Sequence, residues 1–339
     1  MSLNGASRKN EQGLTLTVLG CGTMGIAILS GILSSLNALD TPAPSSSGTS
    51  TPSTEDLPAR LPRRFIACVR RPESAKRIKS SLSEYSSSLE ILQNENLRGI
   101  QQADIVLLCC KPQMVADILK PTSPTERADV TFALKGKLLI SICAGVSVSQ
   151  LEETLYAAPS SEATASPIPE ADRCRVVRVM PNTASFIRES MTVISTPSPP
   201  LPTNLSQLVT WIFTRIGRVV HLAPSTMDAS TALCGSGPAF FALVLEAMAD
   251  GAVAMGLPRA EAQLMAAQTM RGTAGLVLEG EHPALVREKV GTPGGCTIGG
   301  LLVLEEGRVR GTVARAVREA TVVASQLGKG VQGVNGTRF

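Results

Sequence analysis

At 339 residues the chain has room for two domains. With 32 Lys and Arg against 28 Asp and Glu, and only 7 Phe, 2 Tyr and 1 Trp, it carries neither the basic stripe nor the stacking rings of a nucleic-acid binder, and no such partner is expected. Hydrophobic residues make up 43% against 18% charged, which predicts a packed core with apolar surface left to bury between subunits.

The first thirteen residues, MSLNGASRKNEQG, show neither the apolar stretch of a secretory signal nor the Arg-rich pattern of a transit peptide. The apolar, β-branched run Leu14–Leu19 reads as a strand. Gly20-Cys21-Gly22-Thr23-Met24-Gly25 follows it and opens the helical run Ile26–Leu36. In this G-x-G-x-x-G spacing the first glycine makes a turn, the second lets backbone approach a pyrophosphate and the third lets helix pack on strand. A turn needed only for packing is the alternative; the place at the first strand-to-helix turn favours dinucleotide binding.

Asp40–Pro62, rich in Pro, Ser and Thr, reads as a flexible insertion, as do Ala157–Asp172 and Thr196–Asn204. The second strand is expected over Arg64–Val69. It ends at Arg70-Arg71-Pro72-Glu73-Ser74, where an acidic residue would hold a ribose 2′-hydroxyl and an arginine a 2′-phosphate. Two arginines point to NADPH, with NADH as the alternative cofactor and a solvated surface pair as the alternative reading.

Further strands are expected over Ile105–Cys110, Leu138–Cys143, Arg175–Val179 and Arg218–Leu222, with helices between them, so the pattern implies a parallel sheet. Ligands of such sheets lie beyond the carboxyl ends of the strands. Lys111-Pro112-Gln113 and Met180-Pro181-Asn182-Thr183 stand at two such ends. From Met227 to Gln326 only helical signals remain. Pro238–Leu257 is apolar around most of its circumference but interrupted by Glu246 and Asp250, a poor membrane span and a good buried helix, which a subunit interface would explain; no membrane partner is expected. Gly235-Ser236-Gly237-Pro238 opens that helix, and Thr292-Pro293-Gly294-Gly295-Cys296-Thr297 precedes Ile298–Glu306. Consecutive glycines before a helix present backbone N–H groups and a positive dipole end, which suit a small carboxylate; Thr292 and Thr297 add hydroxyl donors. A kink for close helix packing is the alternative.

The eight cysteines show no C-x-x-C spacing and read as reduced core thiols of a cytoplasmic protein. The two histidines, His221 and His282, lie outside the glycine motifs, and no spacing suggests a metal site.

These motifs together resemble the pyrroline-5-carboxylate reductase family. The resemblance runs from about Leu14 to Gln326. Its most specific stretch is PALVREKVGTPGGCTIGGLLVLEE (Pro283–Glu306), supported by the Gly20–Gly25 turn, CKPQ (Cys110–Gln113), AGVS (Ala144–Ser147), MPNT (Met180–Thr183), GSGPAF (Gly235–Phe240) and ADGAVAMGLP (Ala249–Pro258). It implies an α/β chain: a Rossmann-like NAD(P)-binding domain over 13–224, holding the insertions, then an all-helical dimerisation and substrate domain over 225–330. It further implies NAD(P)H-dependent reduction of 1-pyrroline-5-carboxylate to L-proline by a dimer or dimer-based assembly, commonly five dimers. Gly20, Gly22, Thr23, Met24, Gly25, Arg70, Arg71, Lys111, Pro112 and Asn182 are the candidate cofactor residues. Gly237, Gly294, Gly295, Cys296 and Thr297 are the candidate substrate residues, and Thr292, Thr297 and Asn182 the candidate catalytic set. Cys234, Gly291, Cys296 and Ala184 depart from the family's usual residues. Two alternatives stand beside this reading. A β-hydroxyacid dehydrogenase would need a helix lysine, and none occurs between Lys137 and Lys289; a non-catalytic NADPH sensor would not need the carboxylate loop.

Overall fold

The computed structural model describes residues 13–40, 58–119, 130–156 and 168–328, which group into two compact units, 236–320 forming one and the remainder the other. The larger unit holds one eight-stranded sheet in the order β3-β2-β1-β4-β5-β6-β7-β8. Its strands are β1 (Leu14–Leu19), β2 (Pro62–Val69), β3 (Leu89–Gln93), β4 (Ile105–Leu108), β5 (Leu138–Ser141), β6 (Arg175–Met180), β7 (Ser190–Ser195) and β8 (Gly217–Leu222).

Alternation along each strand feeds two cores, the arrangement of a sheet covered on both faces. Leu16, Val18, Phe65, Ala67, Leu107 and Ile140 point to one face, where they meet helices α1 (Thr23–Asp40), α2 (Pro72–Ser81) and α6 (Thr203–Thr214). Leu19, Ile66, Val106, Leu108 and Leu139 point to the other, against α3 (Asn96–Gln102), α4 (Val115–Leu119) and α5 (Val148–Tyr156). Helix α1 buries Ile28, Leu29 and Ile32 completely, each contributing about 1.5–3 kcal/mol of apolar burial. Thr17, polar and fully buried, donates its hydroxyl to the Gly99 carbonyl at 2.8 Å, so the sheet centre holds no unpaired hydroxyl there.

Two strands were not foreseen. β3 is a half-buried edge strand whose LEILQ run carries two polar residues. β7 buries Ser190 and Thr192, so its apolar signal is interrupted, and it pairs antiparallel with β6 through Val179↔Ile194 and Met180↔Val193. The sheet is therefore parallel except at that one pairing. The strands expected to reach Cys110 and Cys143 stop at Leu108 and Ser141, because the chain turns off the sheet into Lys111-Pro112 and the 143–147 loop.

Of the segments read as flexible, 41–57 and 157–167 lie outside the described residues. The adjoining 168–172 buries Ile168 and forms a short 3-10 turn, while 196–204 runs through a cis Ser198–Pro199 bond into α6.

After β8 come a short helix α7 (Met227–Ser230) and a π-turn (Thr231–Gly235). The smaller unit contains α8 (Gly237–Ala254), α9 (Arg259–Leu278), α10 (Pro283–Val290), α11 (Cys296–Glu306) and the start of α12 (Val309–Gly328). Helix α8, whose apolar circumference a subunit interface would explain, buries only Gly237 and Ala249 within the single chain. Phe241 is 58% exposed, Leu264 71% and Leu302 60%, so the helices bury one another along narrow strips and leave apolar faces bare. By length and composition alone Thr23–Asp40 and Pro224–Ala254 would pass as membrane-crossing helices; the first is the core helix α1, and the second is only 17% buried.

Candidate active site

Strand order reverses between β2-β1 and β4, so the ends of β1 and β4 flank the crevice where an open α/β sheet takes its ligand. The Gly20–Gly25 turn stands there. Gly20 has φ +69°, and a Cβ on it would lie 2.8 Å from Cys110 Cβ and 3.0 Å from Cys110 Cα. Only glycine fits both the dihedral and the space. At Gly25 a Cβ would come 2.9 Å from Cys21 Sγ and 3.1 Å from Val18 Cγ1, so its absence brings α1 down onto β1. Gly22 meets only the Gly20 carbonyl, at 3.8 Å, which leaves its backbone open at the start of α1. This is the cradle a pyrophosphate needs: unobstructed backbone, N–H groups of a first helical turn, and the positive end of an 18-residue helix.

The thiols around the turn add no charge to it. The Cys21 N–H donates to the Cys68 carbonyl at 3.0 Å, and burial pushes both thiols up to about 12, so they stay neutral beside an anion. Arg70 and Arg71 follow β2, both exposed. Neither is paired with a carboxylate among the described residues, and Arg71 is the N-cap residue of α2. Two free guanidinium groups one strand away from the glycine turn fit a 2′-phosphate.

Lys111 is exposed at the end of β4, where its carbonyl accepts from the Met114 N–H at 2.9 Å and starts the 3-10 turn Pro112–Met114. Asn182 follows β6. Its Oδ1 accepts the Ala184 N–H at 3.0 Å and caps the turn Thr183–Ile187, which leaves Nδ2 as the group of this side chain that can donate to a ligand. Ala184 is one of the departures from the family's usual residues, and a proline there would lack the N–H that makes this bond.

Two contributors escaped the sequence reading. Ser190, on the unforeseen β7, accepts the Asn182 N–H at 3.1 Å and fixes the start of that turn. Arg178 of β6, opposite Ser141 in register, has only 9% of its side chain exposed and lies 3.7 Å from the Asp228 carboxylate. Burial lowers its pKa, and Asp228 opposes that effect. The pair ties β6 to α7, just ahead of the π-turn that ends at Gly235. A charged residue inside the apolar run RVVRVM was the available signal.

In the smaller unit, the Thr292–Thr297 segment joins α10 to α11. Gly294 has φ +71°, and the Gly295 N–H donates to the Thr292 carbonyl at 3.0 Å. A Cβ on Gly295 would lie 2.5 Å from Thr292 Oγ1, so the hydroxyl is folded over the glycine at the mouth of α11. Cys296 was read as a core thiol; it is exposed, because it occupies the first, outward-facing position of α11. Gly237 is buried at the start of α8, behind Ser236. Gly20–Asn182 thus belong to one unit and Gly237 and Thr292–Thr297 to the other. His282 Nδ1 accepts the Ala284 N–H at 3.2 Å and caps α10, while His221 Nε2 lies 3.1 Å from Thr210 Oγ1. No group of three metal-binding side chains occurs among the described residues.

Comparison with known proteins follows the same division. Residues 224–327 match the family model described as pyrroline-5-carboxylate reductase dimerisation, and residues 15–145 match one described as NADP oxidoreductase, coenzyme F420-dependent. A pyrroline-5-carboxylate reductase of Lophium arboricola is 62% identical over 98% of this chain and 99% of its own length. One from Neurospora crassa is 58% identical over 97% and 98%. Among solved structures, a Plasmodium falciparum pyrroline carboxylate reductase with NADP bound shares the fold with a TM-score of 0.70 at 23% identity, covering 93% of this chain and 98% of that one.

Proposed function

The chain belongs to the pyrroline-5-carboxylate reductase family, and on that premise we propose the division of labour by which it reduces 1-pyrroline-5-carboxylate to L-proline with NADPH. Residues 13–224 are the cofactor domain and 225–330 the dimerisation and substrate domain, an assignment supported by the 224–327 family match. The observation that carries the reading is the glycine turn at the sheet's switch point, joined in one chain to a second glycine loop at a helix start.

Gly20, Gly22, Thr23, Met24 and Gly25 bind the pyrophosphate through backbone N–H groups, and Arg70 and Arg71 bind the 2′-phosphate. Lys111, Pro112 and the amide of Asn182 line the nicotinamide side. NADPH, when bound, supplies the hydride for the C=N carbon. The N–H groups of Gly294, Gly295, Cys296 and Thr297, with the Thr292 and Thr297 hydroxyls, hold the substrate carboxylate and so orient the ring. A protonated cyclic imine is already electrophilic, so the residues act by positioning rather than as nucleophiles or acids. Cys296 and Cys234 contribute backbone N–H groups, their thiols being weak donors. The bare apolar faces of α8, α9 and α11 are covered by a second copy of the chain, which the dimerisation match supports. The cysteine pattern, without C-x-x-C spacing, supports a reducing cytoplasmic setting.

Purified protein mixed with 1-pyrroline-5-carboxylate is expected to oxidise NADPH and form proline stoichiometrically. Turnover of a β-hydroxyacid in place of the imine would support the dehydrogenase reading, and NADPH binding without turnover the sensor reading. Arg71→Asp is expected to raise the KM for NADPH about tenfold while leaving the KM for NADH nearly unchanged, the loss of one charge-assisted contact. Equal effects on both cofactors in steady-state kinetics would remove the 2′-phosphate assignment.

A further inference from the structure

Five of the eight cysteines gather at the carboxyl edge of the sheet: Cys21 after β1, Cys68 at the end of β2, Cys109 and Cys110 after β4, and Cys143 after β5. Only one pair among them is placed for chemistry. β4 and β5 are parallel neighbours with Leu108 opposite Ser141, and the Ile142 N–H to Leu108 carbonyl bond of 3.1 Å carries the ladder one step further. Two residues on, past the ends of both strands, Cys110 and Cys143 come together. Their Sγ atoms are 3.8 Å apart.

The surroundings separate this pair from the rest. Cys21 and Cys68 are held protonated by burial, and burial raises Cys109 too. Within the pair, the shared hydrogen bond holds Cys110 protonated and draws the Cys143 thiol below its ordinary value, against its burial, with help from Ser141 and the nearby Arg178 guanidinium. Cys110 is partly exposed, so a small oxidant reaches the pair.

Cys110 also forms the floor of the glycine turn: its Cβ, Cα and N are the atoms a Gly20 side chain would strike, at 2.8, 3.0 and 3.1 Å. Closing the sulfurs from 3.8 Å to a bond of about 2.05 Å must move Cys110, Cys143 or both, and Cys110 has Gly20 against it.

We propose that Cys110 and Cys143 are a reversible oxidation site, closed to a disulfide by hydrogen peroxide, and that closure weakens NADPH binding by displacing the Gly20 turn. One sulfur attacks a peroxide oxygen, the O–O bond breaks and water leaves. The second sulfur attacks the resulting sulfenic sulfur, the S–O bond breaks, the S–S bond forms and a second water leaves. Two thiols give up two protons and two electrons, which reduce one peroxide to two waters. A dithiol reductant restores the pair by exchange. The effect on NADPH rests on the cofactor reading above; formation of the bond does not.

The test treats the full-length reduced protein with hydrogen peroxide, alkylates the remaining thiols, digests without reductant and titrates NADPH in parallel. The expected results are a cross-linked peptide joining Cys110 to Cys143 and an NADPH Kd raised about fivefold, reversed by dithiothreitol. Cys143→Ala is expected to keep reductase activity and lose the peroxide effect; the wild-type peptide map decides the matter even if that variant folds poorly. Both thiols remaining alkylatable, a link to another cysteine, or a link with unchanged Kd would each overturn the proposal. Failure of the reduced protein to bind NADPH would instead count against the cofactor reading.

Discussion

Gly20→Ala is expected to weaken NADPH binding about a hundredfold and to lower the melting temperature as well. The backbone there has φ +69°, which costs a side chain about 1–2 kcal/mol. The new methyl also falls 2.8 Å from Cys110 Cβ and 3.0 Å from its Cα, an overlap with backbone that costs about 1–3 kcal/mol more. Relief requires the turn to lift away from β4, and lifting it moves the N–H groups that hold the pyrophosphate. Both losses have one cause, so they are expected together, in an NADPH titration and a thermal melt of the same sample. A destabilised variant with wild-type NADPH affinity would show that the turn serves packing alone.

Gly295→Ala is expected to act on the other ligand. Its methyl would lie 2.5 Å from Thr292 Oγ1 and 3.1 Å from the Thr292 carbonyl oxygen, so the hydroxyl must swing out and the turn must open. Two of the contacts assigned to the carboxylate are then disturbed at once. Hydrogen bonds to a charged group contribute about 1.5–3 kcal/mol each, so the KM for 1-pyrroline-5-carboxylate should rise about a hundredfold. Thr297→Ala, which removes one hydroxyl, should raise it about tenfold. In both variants the NADPH Kd measured without substrate should hardly change. A matching loss of NADPH affinity would mean that this loop serves the cofactor.

What could be read from the residues alone follows from how local each signal is. The Gly20–Gly25 turn, the arginines after β2 and the loop before α11 are short, contiguous patterns whose glycines have specific steric reasons, so they were visible without coordinates. β7 was not, since its buried face is Ser190 and Thr192, and nothing local reveals that Ser190 will meet the Asn182 N–H. Arg178 and Asp228 are fifty residues apart in the chain, and Cys110 and Cys143 thirty-three; such partnerships exist only once the strand order does. Helix α8 is a different case: its apolar circumference calls for a covering surface, a subunit interface would explain it, and within one chain Leu243 remains 67% exposed.

The account's central claim is that the Thr292–Thr297 loop receives the carboxylate of the substrate and product. A crystal structure of the protein with NADP+ and L-proline tests it most directly. The expected density places the proline carboxylate within hydrogen-bonding distance of the N–H groups of residues 294–297. Proline bound elsewhere, with the loop packed between helices and touching no ligand, would contradict it.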